Sequence, residues 1–518
     1  MRRPGVPAAA VIVTATVLLT IPSSAQRVET QRAAAPGFGP VQAAAELLGV
    51  STLKTVRFTG LGANFSVGQS PSPGEPWPRV TIKTYDAAIN YETASMRVEL
   101  VREQGAIPPR GGGVPFTGEQ RVIEFVNGAH AWNVALVPPP PPPPAAGAAP
   151  VVAAAGARPR LIEQAPEPQF ASAAERLQQI WLTPHGFVKA AMANSATTRR
   201  VAGGTEVAFT VSGAYKFTGI VNPRNQVERV QTSVANAVLG EMPVEVLYSD
   251  YERVDGGVSF PMRIIQKQGG HPSLELWIHA VQPNVPVDIA TPETVRNATA
   301  PPVRVEIQRI ADGVHYLTGG SHHSVAIEMR DHVVVVEAPL DQERSLAVIA
   351  RVNEAIPGKP IRFVVNTHHH FDHAGGLRAY ADRGATIVTH QINRGFYEKA
   401  WAKPSAVQSF TDKHILTDGT RSIEVHRIAN SPHHDGFAMI YLPAEKILIE
   451  ADAYTPPPAP SEAPTTALTV PPQGPPVNQT ALNLYENIRR LKLDVSQIAA
   501  LHGPRLATME DLARAAGR

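Results

Sequence analysis

Four histidines and one aspartate fall between residues 368 and 373, in the run Thr367-His368-His369-His370-Phe371-Asp372-His373. Imidazole nitrogens and carboxylate oxygens are the donors that zinc and similar divalent ions accept. Such a knot is costly to bury without a cation. Each ring has two nitrogens to satisfy, and the charge of Asp372 must be matched. The preceding run Ile361-Arg362-Phe363-Val364-Val365 is short and rich in β-branched and aromatic residues, which predicts a buried strand. Asn366 and Thr367 end that strand, and Ala374-Gly375-Gly376 predicts a turn that opens a helix. The cluster is therefore expected on a loop at a strand's carboxyl end, where open α/β sheets place their sites.

Three later points repeat the pattern. Asn430-Ser431-Pro432-His433-His434-Asp435-Gly436 leads into an expected strand over 437–442. A strand over 447–450 ends at Ala451-Asp452-Ala453, and one over 498–501 ends at His502-Gly503-Pro504. The intervals are 60 residues from His373 to His433, 19 to Asp452 and 50 to His502. The chain has no cysteine, so any metal site must use nitrogen and oxygen ligands.

With those residues in place, the H-x-H-x-D-H run followed by a His, an Asp and a final His resembles the metallo-β-lactamase superfamily over residues 303–518. The phrase His433-His434-Asp435-Gly436, running on to Tyr441-Leu442-Pro443, is similar to the third-motif loop of many hydrolase members. The resemblance implies an αββα sandwich with a binuclear groove at one edge. It implies that His368, His370 and His433 hold one metal, that Asp372, His373 and His502 hold a second, and that Asp452 bridges them. The cofactor implied is two divalent ions, zinc first, with iron or manganese as alternatives. Three protein ligands per ion and a bridge leave open positions, as a catalytic site requires. Two such ions share a water and lower its pKa towards neutrality. The bridging hydroxide would attack an ester, lactone, thioester or amide-like bond, and Asp372 would accept a hydrogen bond from it and aim it.

Neighbouring residues take secondary roles in this reading. His369 alternates away from His368 and His370, towards the surface or an outer contact. His433 is preferred to His434 because it follows the Ser-Pro turn. His322 and His323, in the loop Gly319-Gly320-Ser321-His322-His323, are candidate substrate contacts, since such loops overhang the groove in relatives. Tyr454, just past Asp452, is a candidate phenol for a carbonyl oxygen, as a tyrosine near this position is in some lactonase relatives. Glu337 stands in Val336-Glu337-Ala338-Pro339, where relatives carry Asp-x-Gly, and is expected to buttress the site with a longer arm. Two other enzymatic readings share the scaffold: a mononuclear iron dioxygenase and a β-lactamase proper. Among β-lactamases, the subclasses with a cysteine ligand are excluded. A non-enzymatic envelope-binding protein with a degenerate C-terminal domain is disfavoured by the intact ligand set.

The elements that must position these residues begin at 303. Strands are predicted over 305–310, 314–318, 324–329 and 332–336, a helix over 346–353, a helix over 377–381 and a strand over 386–388. Strands alternating with helices after an opening meander predict an α/β sandwich. Residues 41–290 read as a mainly antiparallel β module, with strands expected over 53–58, 79–85, 95–101, 121–132, 206–211, 226–232, 244–251, 258–266 and 274–280. A helical stretch over 171–193 is divided by Pro184. A proline-rich loop over 138–160, opening with seven consecutive prolines, interrupts the module. Residues 291–302 are expected to be a linker, and 456–476 a second proline-rich loop. The fold class expected is α/β, an αββα metallo-β-lactamase sandwich preceded by a mainly antiparallel β domain.

Composition limits the partners. With 518 residues, 43% of them hydrophobic, the chain is globular and holds more than one domain. The charge is +2, from 47 basic and 45 acidic residues, so nucleic acid is not expected and a small-molecule substrate is. Met1-Arg2-Arg3, an apolar run over 8–21 and Ser23-Ser24-Ala25 predict a signal peptide over 1–25, followed by a flexible leader over 26–40. A periplasmic or secreted location follows. No later run is apolar for 18 residues, so no membrane span is expected. The oligomeric state is left open.

Overall fold

In the first module, strands alternate between buried and open positions. In Gly240–Arg253, for example, Met242, Val244, Val246 and Tyr248 are buried while their neighbours face outward. That period of two is what one covered sheet face requires. The computed structural model describes residues 39–104, 110–112, 118–137, 162–401, 406–458 and 477–518. The expected signal peptide, nearly all of the leader and most of both proline-rich loops lie outside these residues.

Among the described residues, thirteen strands form one antiparallel sheet. Neighbours in sequence are mostly neighbours in space, and Thr55–Phe65 pairs with the module's last strand, His271–Pro283, in its interior. Three helices, Pro40–Leu48, Ala173–Leu182 and Pro184–Ala193, cover one face. Leu48, Ile180, Phe187 and Val188 pack there against Val230, Val244 and Phe260 of the sheet. The division at Pro184 is local chemistry. Proline lacks an N–H and suits the first helical position, and the Thr183 side chain accepts a hydrogen bond from the Gly186 N–H at 3.1 Å. The single strand expected over 121–132 is a hairpin instead, Gln120–Asn127 and His130–Val134. Gly128 turns it at φ +54°, so Asn127-Gly128 carried a turn signal that the apolar run masked. The stretch 291–302 carries a short helix, Glu293–Arg296, whose Val295 is buried with Trp132 and Ile289.

The second module is layered helix, sheet, sheet, helix. A seven-stranded sheet runs from Glu306–Ala311 to Val407–Phe410, and a five-stranded sheet from Lys413–Thr417 to Gln497–Ala500. Val334 and Val336 point between the sheets, towards Val425 and Ile440, while Val333 and Val335 face Val348 and Val352 of the helix Gln342–Ala355. Both faces of Val333–Val336 are therefore covered, which is why that strand is apolar throughout. On the far side, Leu484 and Ile488 of Gln479–Leu491 close the second layer. The strands ending at Val336, Val365 and His390 are parallel neighbours, so their carboxyl ends share one edge.

Residues 39–518 pack as one unit. Val238, in the turn after Val227–Asn236, is buried in the helix–sheet core of the second module. Gly375 and Gly376 keep helical angles, so their freedom is not the reason for them. A Cβ on Gly375 would stand 1.9 Å from the Leu340 carbonyl oxygen, and one on Gly376 would stand 1.8 Å from Ser345 Oγ. Among the described residues, no helix is long and apolar enough to cross a membrane.

One buried ring makes the first module acid-sensitive. His185 has no exposure, stacks 5.4 Å from Phe260 and donates from Nε2 to the Ser259 carbonyl at 3.0 Å. Burial pushes its pKa down to about 4. The unfolded chain takes up this proton below about 6.5, whereas the fold refuses it until about 4, so stability is lost as pH falls through that window. The full loss is about 3 kcal/mol. In urea titrations at pH 7 and pH 4, His185→Phe is expected to lose less stability on acidification than the parent. An equal loss in both proteins would assign the acid sensitivity elsewhere.

Candidate metal centre

A carboxylate with no exposure to water anchors the edge where these strands end. Glu337 follows Val336 at φ +71°. Its Oε1 accepts from Asn366 Nδ2 at 3.1 Å and the Thr367 N–H at 3.3 Å, and its Oε2 accepts from the Thr367 hydroxyl and from His373 Nδ1 at 3.2 Å. Asn366 is held in turn, its Oδ1 accepting from Tyr397 at 2.6 Å and from Thr389 at 3.2 Å. Four donors on one buried carboxylate account for its tolerance there.

These outer contacts decide which ring nitrogens are free. The Thr367 hydroxyl proton goes to Glu337, so its oxygen accepts from His368 Nδ1 at 2.9 Å and leaves His368 Nε2 with a lone pair. Glu337 takes the His373 Nδ1 proton and likewise frees His373 Nε2. His370 donates from Nε2 to the Ser70 carbonyl at 2.8 Å and frees Nδ1. A ring nitrogen bound on one side and bare on the other is the usual state of a metal-ligating histidine.

Among the described residues, side-chain donor atoms converge in two main groups, His368, His370, His433 and Asp452 in one and His322, Asp372 and His373 in the other; a third, Glu337 with His368 and His373, overlaps both. In the first, His433 Nε2 lies 3.1 Å from His368 Nε2 and 3.2 Å from Asp452 Oδ2, and His368 Nε2 lies 3.6 Å from that oxygen. In the second, Asp372 Oδ2 is 3.3 Å from His322 Nε2 and 3.8 Å from His373 Nε2. The other oxygen of Asp452 faces this side, 3.1 Å from His373 Nε2 and 3.3 Å from His502 Nδ1. Asp452 thus offers one oxygen to each group.

The donor set fits divalent metal ions. His370 Nδ1, His373 Nε2, His322 Nε2 and Asp452 Oδ1 are buried without a hydrogen-bond partner. Tetrahedral bonds of 2.0–2.1 Å place neighbouring ligands about 3.3 Å apart, which the separations above bracket. Burial holds His368 and His370 well below the ordinary histidine range, neutral and able to ligate. Burial also works to lower His373, but Asp452 and Asp372 outweigh it and raise it well above that range. Without a cation, a proton on His373 matches these carboxylates, and a cation at that point replaces it.

Residues outside the two groups are also placed. His369 and His434 form a chain of fixed direction. The Gly436 N–H donates to His434 Nδ1 at 2.9 Å, so His434 Nε2 carries the proton and donates to His369 Nδ1 at 2.6 Å. His369 Nε2 then donates to Ser70 Oγ at 3.0 Å. All four nitrogens are used, and burial keeps both rings neutral, His369 at about 3. His369 is thus not directed to the surface. His502 stands beside Asp452, stacked 4.2 Å from His322, and its side chain is 37% exposed. His322, expected as a substrate contact, stands instead among the donors through an isolated bridge to His502. His323 turns away and donates from Nε2 to the Gly503 carbonyl at 2.6 Å. Tyr454 does not reach the groove: it is buried in the core between the sheets, with Asp511 and Arg505 among its charged neighbours. Gln69 and Ser70 lie in a stretch that reads only as a turn-forming cluster, and nothing local in it marks a contact with the histidine run.

Residues 317–495 match the family model of the metallo-beta-lactamase superfamily. Among solved structures, the chain is similar to a metallo-beta-lactamase from Pontibacter korlensis, at 18% identity over 41% of this chain and 98% of that one, with a TM-score of 0.34. It is similar to the mono-zinc form of the metallo-beta-lactamase FIM-1 from Pseudomonas aeruginosa, at 19% identity over 42% and 94%, TM-score 0.33. For a metallo beta lactamase from Hirschia baltica the figures are 19%, 41% and 96%, TM-score 0.32. No curated protein matches the chain. The second module, with its strand-end histidines and aspartates, belongs to the metallo-β-lactamase superfamily.

Proposed function

We propose that this chain is an exported hydrolase that uses two divalent ions, zinc in the first place, to open an ester, lactone, thioester or amide-like bond in a small molecule. Superfamily membership and the donor cluster support a metal-dependent hydrolase in general. The observation that carries the binuclear reading is Asp452, whose two oxygens face separate donor groups. When bound, a pair of such ions acidifies a shared water and polarises a carbonyl-type group.

The chain's own residues supply the rest. Asp452 sets the separation of the two groups. Glu337, through His373, Thr367 and Asn366, holds the ligand loop in one geometry. Most of the donor set is buried, whereas the side chains of Asp372 and His502 are 31% and 37% exposed. Substrate therefore approaches from that side, and Asp372 is the carboxylate positioned to accept the proton of an attacking water. The export reading rests on the basic start, the apolar run and the small residues before Gln26.

A turnover panel of lactones, thioesters, aryl esters, phosphodiesters and cephalosporins, run with and without a chelator, tests the reaction class. Chelator-sensitive hydrolysis, with about two zinc ions per chain in protein made without added metal, is the expected result. One iron per chain with oxygen-consuming turnover would overturn it. Asp452→Ala is expected to lower turnover to the chelator-treated level. Glu337→Gln is expected to weaken metal binding about 10–100-fold in competition with a chromophoric chelator, and an unchanged affinity would remove the buttress from the account. Expressed with its native N-terminus in a bacterial host, the protein is expected outside the cytoplasm with Gln26 first. Full-length protein confined to the cytosol would count against export.

A further inference from the structure

The first module touches the metal centre at its ligands, not only at its outer surface. The loop that leaves Thr55–Phe65 runs under the histidine cluster, with Ser70 and Ser72 buried. Its Ser70 carbonyl accepts the His370 Nε2 proton at 2.8 Å, the contact that leaves Nδ1 bare and buried. Gln69 Nε2 donates to Asp372 Oδ1 at 2.7 Å, so Oδ2 is the oxygen that faces His322 and His373. Between these ligands, the Phe371 N–H donates to the Gly68 carbonyl at 3.3 Å.

The loop is itself fixed from both modules. Ser72 donates to Asp435 Oδ2 at 2.6 Å, and the Asp435 N–H donates to the Pro71 carbonyl at 2.9 Å. The Gly112 N–H holds the Gln69 carbonyl at 3.0 Å. The approach is too close for side chains: a Cβ on Gly68, which sits at φ +75°, would stand 2.3 Å from the Phe371 ring.

We propose that the segment Gly68–Ser72 of the first module is a working part of the metal centre, with Gln69 and the Ser70 backbone as positioning groups for Asp372 and His370. This rests on the metal-binding reading above. A loop that only joined two modules would need no bond to two separate ligand side chains. Outer hydrogen bonds of this kind fix ring tautomer and carboxylate orientation, and their loss commonly costs 10–100-fold in metal affinity.

The test uses the full chain and Co²⁺, followed by chelator competition and by its visible ligand-field spectrum, with the melting temperature of each metal-free protein as a control. Gln69→Leu is expected to weaken one bound Co²⁺ about tenfold or more and to change its spectrum. Gly68→Ala, which pushes the loop off Phe371, is expected to weaken binding further. Should that variant fail to fold, Ser72→Ala loosens the same loop at Asp435 without touching a donor and is expected to give a smaller loss of the same kind. Parent-like affinity and spectrum in the variants would overturn the inference and leave the hydrolase reading standing. Tighter binding would also overturn it, by making the loop an obstruction. A parent protein that binds no Co²⁺ would sink the metal-site reading itself.

Discussion

Ring nitrogens and a carboxylate buried against one another are the constraint on which the second module depends. His368 and His433 bring Nε2 atoms within 3.1 Å of each other, and His433 Nε2 lies 3.2 Å from the buried Asp452, so a shared proton or a cation must stand between them. Holding this arrangement requires a rigid frame. The fully covered strand Val333–Val336 and its parallel neighbour Ile361–Val365 supply one, and Glu337 ties their ends together. The same logic orders the outer layer, where the second nitrogens of His368, His370 and His373 are committed so that the first have no alternative use.

Much of the donor cluster was legible because each member is local to a strand end. An apolar run followed by His or Asp needs no tertiary knowledge to be noticed, and the spacing from His373 to His502 adds the rest. The place of His322 among the donors was illegible because it depends on a bridge to His502, far along the chain. Tyr454 was misassigned because two residues of offset from Asp452 on an irregular segment turn a side chain into the core as readily as into the groove. Gln69 and Ser70 were illegible, since a polar turn looks alike whether it meets water or the side chains of Asp372 and His370.

The same divide runs through the fold. Strands with one covered face, such as Gly240–Arg253, announce themselves by alternation. The edge strand Thr197–Val201 is almost wholly exposed and has no apolar rhythm to read. Gly375 and Gly376 are explained only by what stands opposite them, Leu340 and Ser345, and not by any turn that they make.

The strand Thr55–Phe65, from which the Gln69 loop departs, lies inside the thirteen-stranded sheet, with ladder partners on both sides. Fraying starts where backbone groups lack a second neighbour, at Glu167–Pro168 and Thr197–Val201 on the two margins. Breathing at those margins dies out across several intact ladders before it reaches the departure point. The fold insulates its histidine cluster from the restlessness of its own periphery.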